Sequence, residues 1–172
     1  MQRQRGASLL EGIAFLGIAA IVVLGAVSLL NGAFGSAATN RTAEEIVAIR
    51  TSIKKLYMGQ SAGYPGGSAS MNAQLVPANV FPSTLTVNTG TSTVTNSWAG
   101  AVNVTSPTAT TFQVEYTAVP QDVCINVVST SSGWTGITVN GTAMANPTSP
   151  DPTTAQAACT STTSNTIDWQ ST

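Results

Sequence analysis

The pattern of apolar and polar positions changes twice along the chain. From Gly12 to Asn40 there is no charged residue. The heart of this run, GIAFLGIAAIVVLGAVSLL from Gly12 to Leu30, is 19 residues long and holds one hydroxyl, Ser28. About 20 apolar residues in a helix cross the hydrocarbon core of a bilayer, so this run is long enough. Asn31, Gly32 and Gly35 then lower helix propensity, each glycine by about 1 kcal/mol relative to alanine. From Arg41 onward the pattern becomes amphipathic. Ile46, Ile49, Ile53 and Leu56 recur at spacings of three and four, which places them on one helix face. Arg41, Glu44, Glu45, Arg50, Lys54 and Lys55 occupy much of the remainder. The helix should stop around Gly59, because Gly63, Pro65, Gly66 and Gly67 cannot extend it. Continuous from Ala7 to Gln60, it would be about 80 Å long at ~1.5 Å per residue. Half of such a rod has to be buried outside its own domain.

Beyond the helix, Ser61–Ser83 reads as a long connection with a short helix around Ser70–Leu75, broken by Pro77 and Pro82. The pattern then shortens to period two. Candidate strands are Thr84–Val87, Ala101–Thr105, Thr111–Tyr116, Val123–Ser129 and Gly136–Val139. Phe112, Val114 and Tyr116 alternate with Gln113 and Glu115, as a strand with one buried face requires. The segment NPTSPDPTTAQAAC after Ala145 reads as a loop, followed by a last short segment, Asn165–Gln170. These elements predict an α+β architecture, one antiparallel sheet laid on the amphipathic half of a long helix whose hydrophobic half protrudes.

Composition narrows the function. Only 8% of the 172 residues are charged, against roughly 25% in an average domain. Histidine is absent, which removes the commonest acid–base catalyst and any Ser/His/Asp arrangement. The net charge is −1, and direct nucleic-acid binding is not expected without clustered Lys and Arg. No glycine-rich phosphate loop precedes a helix. The acidic residues after the helix, Glu115, Asp122, Asp151 and Asp168, are too scattered for a calcium loop. The reading is of a non-enzyme with no cofactor and no metal.

Arg3 and Arg5 precede the apolar run and orient the N-terminus toward the cytoplasm, with everything after Leu30 outside. A secretory signal peptide shares the basic start and apolar core, with SAA at Ser36–Ala38 as its candidate cleavage site. It does not account for Glu11. A carboxylate at the head of an apolar helix is expensive in a membrane and suggests a specific partner.

The junction Arg5-Gly6-Ala7-Ser8-Leu9-Leu10-Glu11 resembles the prepilins of type IV pili. In that family a dedicated peptidase cuts after a glycine ending a basic leader, the new N-terminal residue is methylated, and the fifth residue after the cut is a glutamate. The resemblance therefore implies cleavage between Gly6 and Ala7, N-methylation of Ala7 and a subunit-assembly role for Glu11. Ala7 stands where the family more often has Phe, Met or Leu, and the leader is shorter than is usual in the IVb branch. In a bundle of apolar helices, Glu11 of one subunit would pair with the amino terminus at Ala7 of a neighbour. Each neutralises a charge that would be costly alone in a low dielectric, and the pair sets axial register.

Leu56-Tyr57-Met58-Gly59-Gln60, Tyr64-Pro65 and Asn96-Ser97-Trp98-Ala99-Gly100 resemble the IVb branch. That branch includes the toxin-coregulated pilus, bundle-forming pili and conjugative thin pili. The implied organisation is a leader over residues 1–6, a membrane and filament-core helix over 7–38, and an extracytoplasmic pilin head over 39–172. Cys124, expected in a strand, and Cys159 are the only cysteines, so one disulfide is the only intramolecular choice. In the oxidising compartment that this topology implies, the pair is expected to be oxidised. The implied partners are further pilin subunits, the prepilin peptidase and assembly machinery, and the inner membrane before assembly. A major pilin is the leading expectation. A minor pilin or type II secretion pseudopilin comes second, and a signal-anchored periplasmic binding protein third. The sequons at Asn40, Asn103 and Asn140 read as chance in a chain so rich in Thr and Asn.

Overall fold

The structure, a computed structural model, describes residues 9–172, and of residues 30–34 the backbone alone. A single helix, α1, runs Leu9–Tyr57. Gly32 and Gly35 do not interrupt it, because no proline removes a backbone donor there. The chain divides into two units between Ala37 and Ala38. In the first, the 21-residue stretch Leu9–Leu29 is long and apolar enough to cross a membrane, and none of it is buried.

The second unit has one hydrophobic core. Ile46, Ile49 and Ile53 of α1 enter it fully, as their spacing predicts, but Leu56 remains 40% exposed. Tyr57 turns inward in its place and stands 5.2 Å from the ring of Tyr64, which meets Phe112 edge-on at 5.1 Å. The helix then ends on Gly59, at φ +87°, a left-handed conformation that glycine adopts without strain.

A short helix, α2 (Asn72–Leu75), precedes a hairpin of β1 (Thr86–Asn88) and β2 (Thr93–Thr95), which forms a two-stranded sheet of its own. The main sheet has five strands: β3 (Val102–Thr108), β4 (Thr111–Val119), β5 (Gly136–Val139), β6 (Thr142–Ala143) and β7 (Asn165–Ser171). Their order is β3-β4-β7-β5-β6, and every pairing is antiparallel. The last strand in the sequence thus lies between two earlier ones. Side chains alternate as period two demands. Val104, Val114, Tyr116, Ile137, Val139, Ile167 and Trp169 point into the core. Asn103, Glu115, Thr138 and Asp168 fall on the opposite face.

Two expectations are corrected. Val123–Ser129 is not a strand; it belongs to helix α3 (Gln121–Thr130), so Cys124 is helical. Its β-branched residues mimic a strand, but the buried positions Val123, Cys124, Val127 and Val128 carry helical spacing. Asp122 stands in the first turn, a helix-start signal, and Pro120 precedes the helix in an extended conformation. The Pro- and Thr-rich segment after Ala145 is likewise not all loop. Helix α4 (Pro152–Ala158) forms within it, with Asp151 as N-cap accepting from the Thr153 amide and proline at the first position. That is a standard start for a helix.

Candidate functional site

The N-terminal element offers the first candidate surface. Glu11 sits in the first turn of α1, exposed among Leu9, Leu10, Ile13 and Phe15, each more than 60% exposed. An acid there complements the positive end of the helix dipole. Gly6 and Ala7, where cleavage and methylation are expected, lie outside the described residues.

Within the head, α1 is fastened to the sheet by a polar and aromatic chain that helix periodicity does not foretell. Glu45 is buried, not on the solvent face. It accepts from Arg41 Nε at 3.1 Å and from the Tyr116 hydroxyl of β4 at 3.3 Å. Arg41 also donates to the Thr84 carbonyl. Burial pushes the Tyr116 phenol well above its ordinary pKa of 10.0, and the Glu45 charge adds to the effect. Tyr116 meets Trp169 edge-on at 5.8 Å, and Trp169 lies 6.4 Å from Trp134. Trp169 Nε1 donates to Ser131 Oγ at 3.0 Å. The chain returns to α1 through Arg50, whose guanidinium lies 4.7 Å over the Trp134 ring and donates to the Gly133 carbonyl at 2.8 Å.

Cys124 and Cys159 are joined, their Cα atoms 6.1 Å apart across 35 residues of sequence. Both are fully buried. The bond ties α3 to the residue that ends α4. Gln121 reinforces it by donating from Nε2 to the Cys159 carbonyl at 2.8 Å. Closing a loop of this length is worth roughly 3–4 kcal/mol in the chain-entropy model. The amides of two sequon residues are used internally. Asn140 donates to Ala158 and Asn165, and Asn103 donates to Glu115.

A helix rooted in a disulfide-closed α+β head matches a known family. The family model described as PilS N terminal matches residues 36–172. The chain belongs to the PilS family. Solved structures agree on the fold. A type IV b pilin from Salmonella typhi superposes with a TM-score of 0.58 at 21% identity, covering 74% of this chain and 94% of that one. TcpA, a type IV pilin from Vibrio cholerae El Tor biotype, gives 0.53 at 12% identity, covering 78% of this chain and 99% of its own. No curated protein matches the sequence significantly. The chain thus belongs to the PilS family and has the fold of these two type IV pilins.

The segments that carried the IVb resemblance have physical roles in this fold. Tyr57 and Tyr64 form the aromatic contact that ends α1 against the core. Asn96 organises the turn Asn96–Gly100. Its Oδ1 accepts from the amides of Trp98 at 3.0 Å and Gly100 at 2.9 Å, and its Nδ2 donates to the Thr117 carbonyl at 2.8 Å. Gly100 is required there, because a Cβ would stand 2.0 Å from the Thr117 oxygen.

The sheet face turned away from the core carries a second charged feature. Glu115 on β4 and Asp168 on β7 are directly opposite in register. Partial burial, with the neighbouring Glu115 charge, raises the Asp168 carboxyl from 3.8 to about 6. Asn103 Nδ2 donates to Glu115 at 2.9 Å, while Thr138 stands beside Asp168 in register. Among the described residues no three His, Cys, Asp or Glu side chains converge on a metal-sized site.

Proposed function

We propose that this pilin is the major subunit of a type IVb pilus, held in the inner membrane as a precursor and then assembled into an extracellular filament. The observation that carries this reading is Leu9–Leu29, a 21-residue apolar helix with none of its surface buried. Apolar surface on that scale marks a membrane or interaction site. A bilayer covers it before assembly, and the same helices of further copies cover it afterwards. Type IV pilins are the proteins that this family and fold resemble, which supports assembly into a pilus.

In this reading the peptidase cuts between Gly6 and Ala7, the new amino group at Ala7 is methylated, and Glu11 pairs with that group on a neighbouring copy. The pair neutralises two charges inside a helical core and fixes the axial step between subunits. The neutral head, rich in Thr, Ser and Asn, forms the solvent-facing coat through which the filament serves adhesion, aggregation or conjugative DNA transfer. Electron microscopy of sheared cell-surface fractions, combined with mass spectrometry of the mature N-terminus, tests the proposal. The expected result is filaments whose dominant band begins with methylated Ala7. A scarce band in filaments built from another protein would make the chain a minor pilin. A monomer retained in the membrane would overturn polymerisation.

A further inference from the structure

The chain has six cations, four of them among the described residues. Arg3 and Arg5 precede the described residues. Arg41 is bound to Glu45 and to the Thr84 carbonyl, and Arg50 to Gly133 and the Trp134 ring. Of the cations among the described residues, only Lys54 and Lys55 have neither an ion pair nor a side-chain hydrogen bond. They are exposed, adjacent and in the last turn of α1.

The outer face of the sheet has the opposite imbalance. Glu115 and Asp168 stand directly across from each other on β4 and β7, an arrangement of like charges that destabilises a sheet. None of the five strands contains a Lys or Arg. The neighbours in register, Asn103 and Thr138, are neutral. Nor can the free lysines of the same molecule reach this face. Ile49 and Ile53 of α1 and Val114, Tyr116 and Trp169 of the sheet are buried in one core, so the helix surface and the outer sheet surface lie on opposite sides of it.

We propose that the Glu115–Asp168 face of one copy receives Lys54 and Lys55 of the next, forming a head-to-tail contact between copies of this chain. Charge complementarity selects a second copy as the occupant, since the chain itself supplies both halves on surfaces that cannot meet within one molecule. Two different patches make the contact heterologous, the kind that propagates as an open filament when the rotation between copies does not close a ring. The contact deepens the polymerisation reading and rests on it. It adds a polar, salt-sensitive bond between heads to the apolar bond between helices.

Zero-length carbodiimide cross-linking of sheared filaments of the full chain tests it, read by mass spectrometry of linked peptides. The expected product joins Lys54 or Lys55 to Glu115 or Asp168. A charge swap provides the second measurement. Lys54→Glu with Lys55→Glu, or Glu115→Lys with Asp168→Lys, places like charges in contact and should lower filament yield about tenfold or more. All four changes in one chain should restore it. Formation of the Cys124–Cys159 bond in each variant reports that the head has folded. Filaments that lack this cross-link, that link these carboxylates to a different protein, or whose yield ignores both reversals, would overturn the contact and leave polymerisation standing. Absence of filaments from the unaltered chain would overturn the polymerisation reading, and the contact with it.

Discussion

The Tyr116 hydroxyl donates to the Glu45 carboxylate at 3.3 Å, joining residues 71 apart in sequence inside the core of the head. With Arg41 on its other oxygen, Glu45 is a buried charge whose partners come from the sheet and from its own helix. Tyr116→Phe keeps the ring but leaves that oxygen unpaired, and should cost about 1–3 kcal/mol. Denaturant unfolding in detergent, followed by tryptophan fluorescence, measures the loss. The folded head also holds the Tyr116 proton to higher pH than the unfolded chain, whose phenol ionises near 10.0. Stability from this group therefore falls as pH rises above about 10. Absorbance titration should show Tyr116 ionising only together with alkaline unfolding.

Gly100 is the residue of the Asn96–Gly100 turn that tolerates no side chain. Gly100→Ala would drive a methyl group into the Thr117 carbonyl and separate the turn from β4. The expected loss is about 1–3 kcal/mol or more, visible as a lower denaturation midpoint in the same assay. Gly141→Ala serves as the control. Unlike Gly100 it has a positive φ, +81°, but open space around its Cβ, so it should lose only the smaller backbone term and none from a clash.

The Cys124–Cys159 bond should contribute roughly 3–4 kcal/mol. Because both sulfurs are buried, reductant should act on the folded head slowly. Cys124→Ser with Cys159→Ser, compared with the parent protein before and after reduction in denaturant, separates the bond from the packing of its atoms.

These features differ in how openly the sequence displays them. The period of Ile46, Ile49 and Ile53, and the alternation through Phe112, Val114 and Tyr116, are local signals, and the folded head obeys them. Helix α3 is a case where residue type misleads. Val123, Ile125, Val127 and Val128 favour strands by propensity, while the helix is announced by Asp122 and by the spacing of its buried residues. Asp151-Pro152 gives the same announcement for α4. Glu45 lies one turn before Ile49 on the buried face of α1, but a carboxylate there reads as solvent-facing until Tyr116 supplies a partner from the sheet. The Glu115–Asp168 apposition depends on strand register, which no periodicity fixes between strands so distant in sequence. The roles expected of Gly6, Ala7 and Glu11 rest on family resemblance alone; physics marks only one carboxylate before an apolar helix.

Asp168 makes the head less stable at neutral pH than in mild acid. Its folded carboxyl titrates at about 6, against 3.8 for the reference group, so the folded state keeps a proton that the unfolded chain has lost. Stability from this group is greatest below about pH 4 and falls as pH rises through 4 to 6. Asp168→Asn removes that slope. At pH 7 it should stabilise the isolated head by on the order of 1 kcal/mol, a figure reduced for solvent screening of a half-exposed group. Denaturation midpoints of both proteins between pH 4 and 7.5 should converge at the acid end and separate at the neutral end.

If the proposed processing and pairing hold, Glu11→Ala should leave a cut after Gly6 largely intact and abolish or cripple filament formation, since the proposed partner of the Ala7 amino group is gone. Immunoblots of the membrane fraction report processing, and electron microscopy reports filaments. Abundant normal filaments from this variant would remove Glu11 from assembly.

The placement of β7 between β4 and β5 governs when the head can come into being. The strand synthesised latest occupies an inner position, so β4 and β5 have no shared neighbour until it arrives. A chain threading outward through a membrane would therefore carry an unfinished sheet throughout its passage, its inner edges unpaired and open to mispairing. Until β7 pairs, the edges of β4 and β5 that it covers stay open, so any factor that shields them would act on that intermediate and have nothing to hold afterwards.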